Sequence, residues 1–338
     1  MGIFGTILVL ALFICGFKIT EAVLGSSPDF DFENYHEFPE IEHYVREAAW
    51  RNPSFVQLRQ IGKSNEGRAL VGVKIAREWP AFHLSVYFID QLIRGYEVDP
   101  VITNYVNKLN IYVFPVLNPD GFIFSRTSKK SIIRQWRKNR APANCTGYVN
   151  NKRRPMCCEG VDLNRNYDIA FKQTNYPFNN PCSDEFQGPF PFSEPESRAV
   201  RDFVLSPEIN GKVHAMVSLH THGQLFILPY NYHKQTYPED YQELLGLAQQ
   251  VSETIRALHG TEYRLGTAPD MLGAPATGGA TDWIKKNTLI KYVYVIELPP
   301  ELTTWFAFQM RAHHLLSTAK ETWHGMKVVI NRILIEYA

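Results

Sequence analysis

Four short stretches of this sequence gather side chains able to do chemistry. They are Ala76-Arg77-Glu78-Trp79, Trp136-Arg137-Lys138, the run Asp162-Leu163-Asn164-Arg165-Asn166-Tyr167-Asp168, and Ser218-Leu219-His220 taken with Ile296-Glu297-Leu298. Each stands at or just after the end of a predicted strand, which is where open α/β sheets gather ligands. Imidazole, carboxylate and guanidinium groups brought together there would make a binding or catalytic site. Singly, each also has a structural reading: Arg77 and Glu78 as a solvated pair, His220 as a satisfied core histidine, Glu297 as a strand-end carboxylate in an ion pair. Their order along the chain and their context decide.

The elements that must position them are legible as patterns. Residues 70–75, 111–117, 213–219 and 292–296 are short apolar, β-branched or aromatic runs, the signature of strands buried on both faces. Helical patterns lie between them at 81–94, 195–204, 239–259 and 315–335, after a first one at 40–49. In that first pattern Ile41, Tyr44, Val45 and Ala48 fall at helical spacing, and Asn52-Pro53 stops the helix. Strands alternating with helices predict a single α/β domain with a mixed, mostly parallel central sheet flanked by helices. No internal repeat, low-complexity tract or linker divides the chain. Residues 139–191 are rich in Asn, Pro and Cys and poor in periodicity, so they read as a surface excursion stapled by disulfides.

Composition narrows the function classes. With 45% hydrophobic and 20% charged residues among 338, the chain can bury a sizeable core. A formal net charge of +1 gives no electrostatic reason to expect nucleic acid or an anionic membrane as partner. The run 3–17 is apolar, shorter than a spanning helix, and followed by the small residues Thr20 and Ala22, so residues 1–22 read as a cleaved secretory signal. The product would be secreted and extracellular, free of membrane. Cleavage there would remove Cys15 and leave Cys145, Cys157, Cys158 and Cys182, an even number that suits an oxidising compartment. Asn144-Cys145-Thr146 is a glycosylation sequon, meaningful only in a secreted protein.

The four stretches, together with Glu66-Gly67-Arg68, Asn118-Pro119-Asp120-Gly121-Phe122 and Gly278-Gly279-Ala280-Thr281-Asp282-Trp283, resemble in content and order the catalytic domain of the carboxypeptidase A/B family of zinc metallocarboxypeptidases. The resemblance covers residues 32–338. It implies an eight-stranded mixed sheet with zinc above the strand ends, and peptide or protein C-termini as substrates. No separate pro-domain is expected, because the pattern begins within a few residues of the predicted cleavage. In the resemblance, Glu78 and His220 are zinc ligands. Two histidines and a glutamate, the ligand set of carboxypeptidase A, leave one position on the metal for a water whose pKa falls towards ~7. Glu297 takes the place of the general base, and Arg137 that of the arginine facing the developing oxyanion. Asn164 and Arg165 match the pair that grips the substrate's C-terminal carboxylate, while Arg77 lines the approach subsites. Thr281 stands at the position that sets specificity; being uncharged, it implies uncharged aliphatic or aromatic C-terminal residues. The family disulfide maps onto Cys158 and Cys182, leaving Cys145 and Cys157 as a second pair, with Cys157 and Cys158 able to exchange roles.

The pattern breaks in two places. In the family, the strand equivalent to 70–75 is followed by a turn and another buried strand that ends in the first zinc histidine. Here Lys74-Ile75 runs directly into Ala76-Arg77-Glu78-Trp79, so one central strand is deleted and Ile75, which has no lone pair, sits where the histidine belongs. Residues 70–75 are expected to move into the vacant position. Ala274 stands where the family has the tyrosine that caps bound substrate. His83, five residues beyond Glu78, falls too far round a helix to replace the ligand, and His222 reads as pocket lining. Three explanations follow: a splice product or gene sequence lacking a segment of an active enzyme, a pseudo-peptidase that still binds C-terminal peptides, or compensation by another ligand.

Overall fold

The computed structural model describes residues 6–8, 27–71, 79–145, 148–149, 154–155, 157–171, 176–302 and 310–338. Among these the strands are β1 (Thr6–Leu8), β2 (Gln60–Lys63), β3 (Ala69–Val71), β4 (Asn110–Ile111), β5 (Tyr148–Val149), β6 (Arg154–Pro155), β7 (Ala215–Gly223), β8 (Leu225–Ile227), β9 (Arg264–Gly266) and β10 (Tyr292–Glu301). The helices are α1 (Phe38–Arg51), α2 (Trp79–Gly95), α3 (Pro100–Lys108), α4 (Pro119–Thr127), α5 (Pro195–Val204), α6 (Tyr241–His259), α7 (Ala268–Leu272), α8 (Ala280–Asn287) and α9 (Leu315–Tyr337). The five helical patterns read from the sequence are α1, α2, α5, α6 and α9.

Local chemistry starts and stops these helices where the chain turns. Asp99 accepts a hydrogen bond from the Val101 N–H at 2.8 Å with Pro100 at the first helical position of α3, and Asn118 accepts from Gly121 N–H at 3.0 Å to open α4. Gly260, at φ 79°, ends α6 in the left-handed conformation that costs a glycine nothing. α9 lies against both α2 and α6. Phe88 packs on Trp323 with ring centroids 5.4 Å apart, and at Gly325 an added Cβ would come within 2.9 Å of Val251 and Ile255. Only a residue without a side chain lets α6 and α9 approach so closely.

The central sheet has the order β4-β1-β7-β10-β8-β9. Four of its pairings are parallel and one, β10 with β8, is antiparallel, as a mixed and mostly parallel sheet requires. β7 is buried along nearly its whole length and β10 over its first five residues, because both faces of the sheet are covered there. The structure thus has the α/β architecture expected, with six strands of the central sheet among the described residues. β2 and β3 form their own antiparallel ribbon, with Lys63 opposite Ala69 and Gln60 opposite Val71.

The sheet position between β4 and β7 is taken by the first described residues of the chain. β1 lies between β4 and β7, parallel to both, with Ile7 opposite Ile111 on one side and Ala215 on the other. Of residues 70–75, expected in that position, residues 70–71 pair with β2 instead, and 72–75 lie outside the described residues. The reason is backbone accounting. β3 already spends its hydrogen bonds on β2, whereas β4 and β7 present buried N–H and C=O groups that need a partner between them. Tyr112 adds a single bridge beyond Ile111, and Tyr112 to Val116 stay buried. Of the strand expected at 111–117, Ile111 lies in β4 and Tyr112 in the bridge that follows it.

The surface excursion is closed by two disulfides, Cys145 with Cys157 and Cys158 with Cys182. Asn144 and Cys158 also exchange both backbone hydrogen bonds, at 3.0 and 3.2 Å. Among the described residues no helix is long and apolar enough to cross a membrane.

A chain lacking residues 1–22 should be less stable than the full chain when the two are unfolded side by side in urea. Each buried backbone group left without its partner costs about 1–3 kcal/mol, so the midpoint should fall visibly. Equal midpoints would show that Thr6–Leu8 contributes nothing to the sheet.

Candidate functional site

His220 and Glu297 are direct Cα partners on the parallel strands β7 and β10, and so face the same side of the sheet. His220 is 2% exposed, and its Nε2 lies 3.2 Å from the Ser218 hydroxyl two residues earlier on that face. Glu297 is half-buried, just before the strand reaches the surface at Glu301. His222 lies further along β7 and is also half-buried.

The guanidinium and amide groups are held by a second set of contacts. Arg137 Nε donates to Asp162 Oδ2 at 2.6 Å, and Asp162 is 1% exposed. The other oxygen of the same carboxylate accepts the Asn164 N–H at 3.0 Å, capping the single 3₁₀ turn Leu163–Arg165. One buried carboxylate thus fixes both Arg137 and the turn that carries Asn164 and Arg165. Asn164 Oδ1 in turn accepts the Ala280 N–H at 3.0 Å, which ties that turn to the start of α8. The two loops meet backbone to backbone at Gly278, where φ is 69° and an added Cβ would sit 2.0 Å from the Arg165 carbonyl oxygen. No other residue fits there.

Thr281 is 5% exposed in the first turn of α8, beside the buried Asp282. Asp282 accepts hydrogen bonds from Asn231 N at 2.5 Å and Nδ2 at 2.9 Å. Burial nevertheless pushes its carboxyl up to about 7, against those hydrogen bonds and the charge of Arg165, which favour the ionised form. Arg165 donates to Asn164 O at 3.0 Å through Nη1, and to Glu185 Oε2 through Nε at 3.2 Å and Nη2 at 2.8 Å. Ala274 is exposed.

Arg77 and Glu78, named from the sequence as subsite residue and zinc ligand, lie outside the described residues, as does Ile75. Among the described residues no group of three or more His, Cys, Asp or Glu side chains is arranged to hold a metal ion. His83 supplies no replacement. It is 2% exposed on α2, and its Nε2 accepts the His36 N–H at 2.7 Å, so that lone pair is committed to the backbone. Of the two zinc ligands named from the sequence, His220 lies among the described residues and Glu78 does not.

Sequence reasoning named Asp162 within its run without giving it a role, and missed Asn231 and Glu185. Asp162 had a local signal, an aspartate two residues before an asparagine whose N–H it caps. Asn231 and Glu185 reach the site only through the fold, from 51 and 20 residues away along the chain.

The architecture is the carboxypeptidase-like α/β fold. The solved structure of carboxypeptidase A from Helicoverpa armigera superposes with a TM-score of 0.76 at 26% identity, covering 90% of this chain and 75% of that one. Bovine thrombin-activatable fibrinolysis inhibitor, solved in complex with tick carboxypeptidase inhibitor, superposes with a TM-score of 0.75 at 26% identity, covering 90% of this chain and 99% of that one. Carboxypeptidase A2 of Rattus norvegicus is 34% identical over 321 residues, 90% of this chain and 72% of that protein. Carboxypeptidase B of Astacus astacus is 32% identical over 326 residues, 91% of this chain and all of that protein. The sequence pattern described as zinc carboxypeptidase matches residues 75–325. The chain belongs to the zinc carboxypeptidase family, whose members are metallopeptidase hydrolases.

A carboxyl whose pKa is raised by folding stabilises the fold fully below its unfolded value, near 3.9, and loses that contribution as pH rises through the folded one. For Asp282 the window therefore runs from about 4 to about 7. Asp282→Ala, which strips both Asn231 donors of their acceptor, should cost about 1–3 kcal/mol at the acid end and progressively less up to neutral pH. Urea midpoints of both proteins at pH values across that window would measure it. A difference that grows with pH would contradict the assignment.

Proposed function

We propose that this chain is built to remove single uncharged residues from peptide C-termini, and that as written it binds those C-termini while hydrolysing them slowly. The observation that carries the reading is the Asp162 carboxylate, which ties Arg137 to the Asn164-Arg165 turn and so holds three substrate-facing groups in one fixed arrangement. In this reading Asn164 and Arg165 grip the terminal carboxylate by charge-assisted hydrogen bonds. Arg137 faces the scissile carbonyl, where negative charge develops. Glu297, at the strand end next to His220, takes a proton from attacking water. Thr281 presents a small uncharged surface to the terminal side chain, which favours aliphatic or aromatic residues over charged ones.

Zinc, the family's metal, would be held by Glu78 and His220 alone, one protein ligand short of a catalytic site. In this reading the clamp is built from residues other than the zinc ligands, so binding outlasts turnover. Secretion is supported by the two disulfides and by the apolar run at 3–17. Cleavage near Ala22 would take β1 with it, so export and the sheet position of Thr6–Leu8 make opposite demands on the same residues.

The full chain and a second chain, with a strand ending in His inserted before Ala76, would be compared for zinc content and for turnover of a blocked dipeptide ending in Phe. The inserted chain should hold one zinc and turn over at least a hundredfold faster, roughly the ratio that a few kcal/mol of transition-state stabilisation gives. One tightly held zinc and full turnover in the chain as written would show that the ligands are misassigned.

A further inference from the structure

Glu185 is a second carboxylate on the guanidinium of Arg165, carried by the disulfide-stapled excursion. Its Oε2 takes two hydrogen bonds from one edge of that group, Nε at 3.2 Å and Nη2 at 2.8 Å, while Nη1 is used by the Asn164 carbonyl at 3.0 Å. Of the five guanidinium N–H groups, two remain, one on each terminal nitrogen. The backbone under Glu185 is fixed. Cys182 is held by its disulfide to Cys158, the Glu185 N–H donates to Ser183 Oγ at 3.0 Å, and the neighbouring Phe186 carbonyl accepts the Asp162 N–H at 2.8 Å. The carboxylate is therefore delivered to Arg165 by the same anchor that positions the oxyanion arginine. Arg165 is 12% exposed and Glu185 40%, so the pair stands at the mouth of the clamp with its acidic member facing solvent.

We propose that Glu185 is an affinity-setting residue of the clamp: a built-in carboxylate that neutralises Arg165 in the free protein and competes with the C-terminal carboxylate of a peptide. The inference rests on the reading that Arg165 meets that terminus. A ligand carboxylate arriving at the two remaining N–H groups comes within a few ångströms of a like charge, and a ligand taking the Nε edge must displace it. Either route lowers the affinity for the acid and leaves that for a neutral C-terminal amide untouched. Half-exposed carboxylates are readily rehydrated and such pairs are weak, so the brake is one a substrate can overcome. Its effect is carried by charge and should shrink as salt rises.

The test needs no metal and no turnover. Dissociation constants would be measured by calorimetry for benzoyl-Gly-Phe and for its C-terminal amide, on the wild-type chain, Glu185→Gln and Arg165→Gln. Thermal unfolding would establish that all three fold. Glutamine keeps the acceptor oxygen and the shape while removing the charge. We expect Glu185→Gln to bind the acid about three- to tenfold more tightly at low salt, where tenfold corresponds to about 1.4 kcal/mol. The amide should be unchanged, and Arg165→Gln should lose the preference for the acid. A wild-type chain that prefers the acid, with Glu185→Gln binding it no better or less well, overturns the proposal but leaves the clamp standing. Absence of acid preference in the wild type that appears in Glu185→Gln supports a strong form of the brake. Absence in both overturns the clamp reading and the proposal together.

Discussion

The parallel pairing of β7 with β10 is the constraint from which the rest of the site follows. Both strands are buried over most of the stretch where they pair, so neither can slip by one residue without changing which side chains face each helical layer. That register sets His220 opposite Glu297 at the ends where the strands leave the core. Two polar side chains with no interaction in sequence are made neighbours by burial of the residues that precede them. The same strand direction brings the connection from α8 to the base of β10, which is why Thr281 and Asp282 belong to the same end of the molecule.

A second constraint is the absence of a side chain at Gly278. Its close approach to the Arg165 carbonyl lets Asn164 reach the first N–H of α8, and the buried Asp162 carboxylate holds the other side of that turn to Arg137. The groups proposed to meet a peptide terminus are thus not on a free loop. They are pinned by backbone contact on one side and a charge-assisted hydrogen bond on the other, so their geometry is set before any ligand arrives.

The strand position between β4 and β7 shows what an interior place in a sheet demands of the segment that takes it. Backbone groups buried on both flanking strands require hydrogen-bond partners, and a sheet interior offers them no water. The three residues found there, Thr6–Leu8, come from a segment whose apolar composition also reads as an export signal. The two roles draw on one property, a run of apolar residues with no charge. Thr6–Leu8 joins the ladder without bringing an imidazole or carboxylate to it.

Much of this protein was legible without coordinates because it depends on local pattern. Helical spacing over α1, α2, α5, α6 and α9 and the doubly buried runs of β7 and β10 follow from which residues are apolar and how often they recur. Short motifs such as the Asp162 to Asp168 run are equally matters of residue type. The fold decided what depends on partners distant in sequence. That Ala69–Val71 remains with β2 while Thr6–Leu8 completes the sheet, that Glu185 rather than solvent meets Arg165, and that His83 is spent on the His36 backbone were set by competition among buried groups for hydrogen bonds. Such competition is settled only once packing has removed water as an alternative partner.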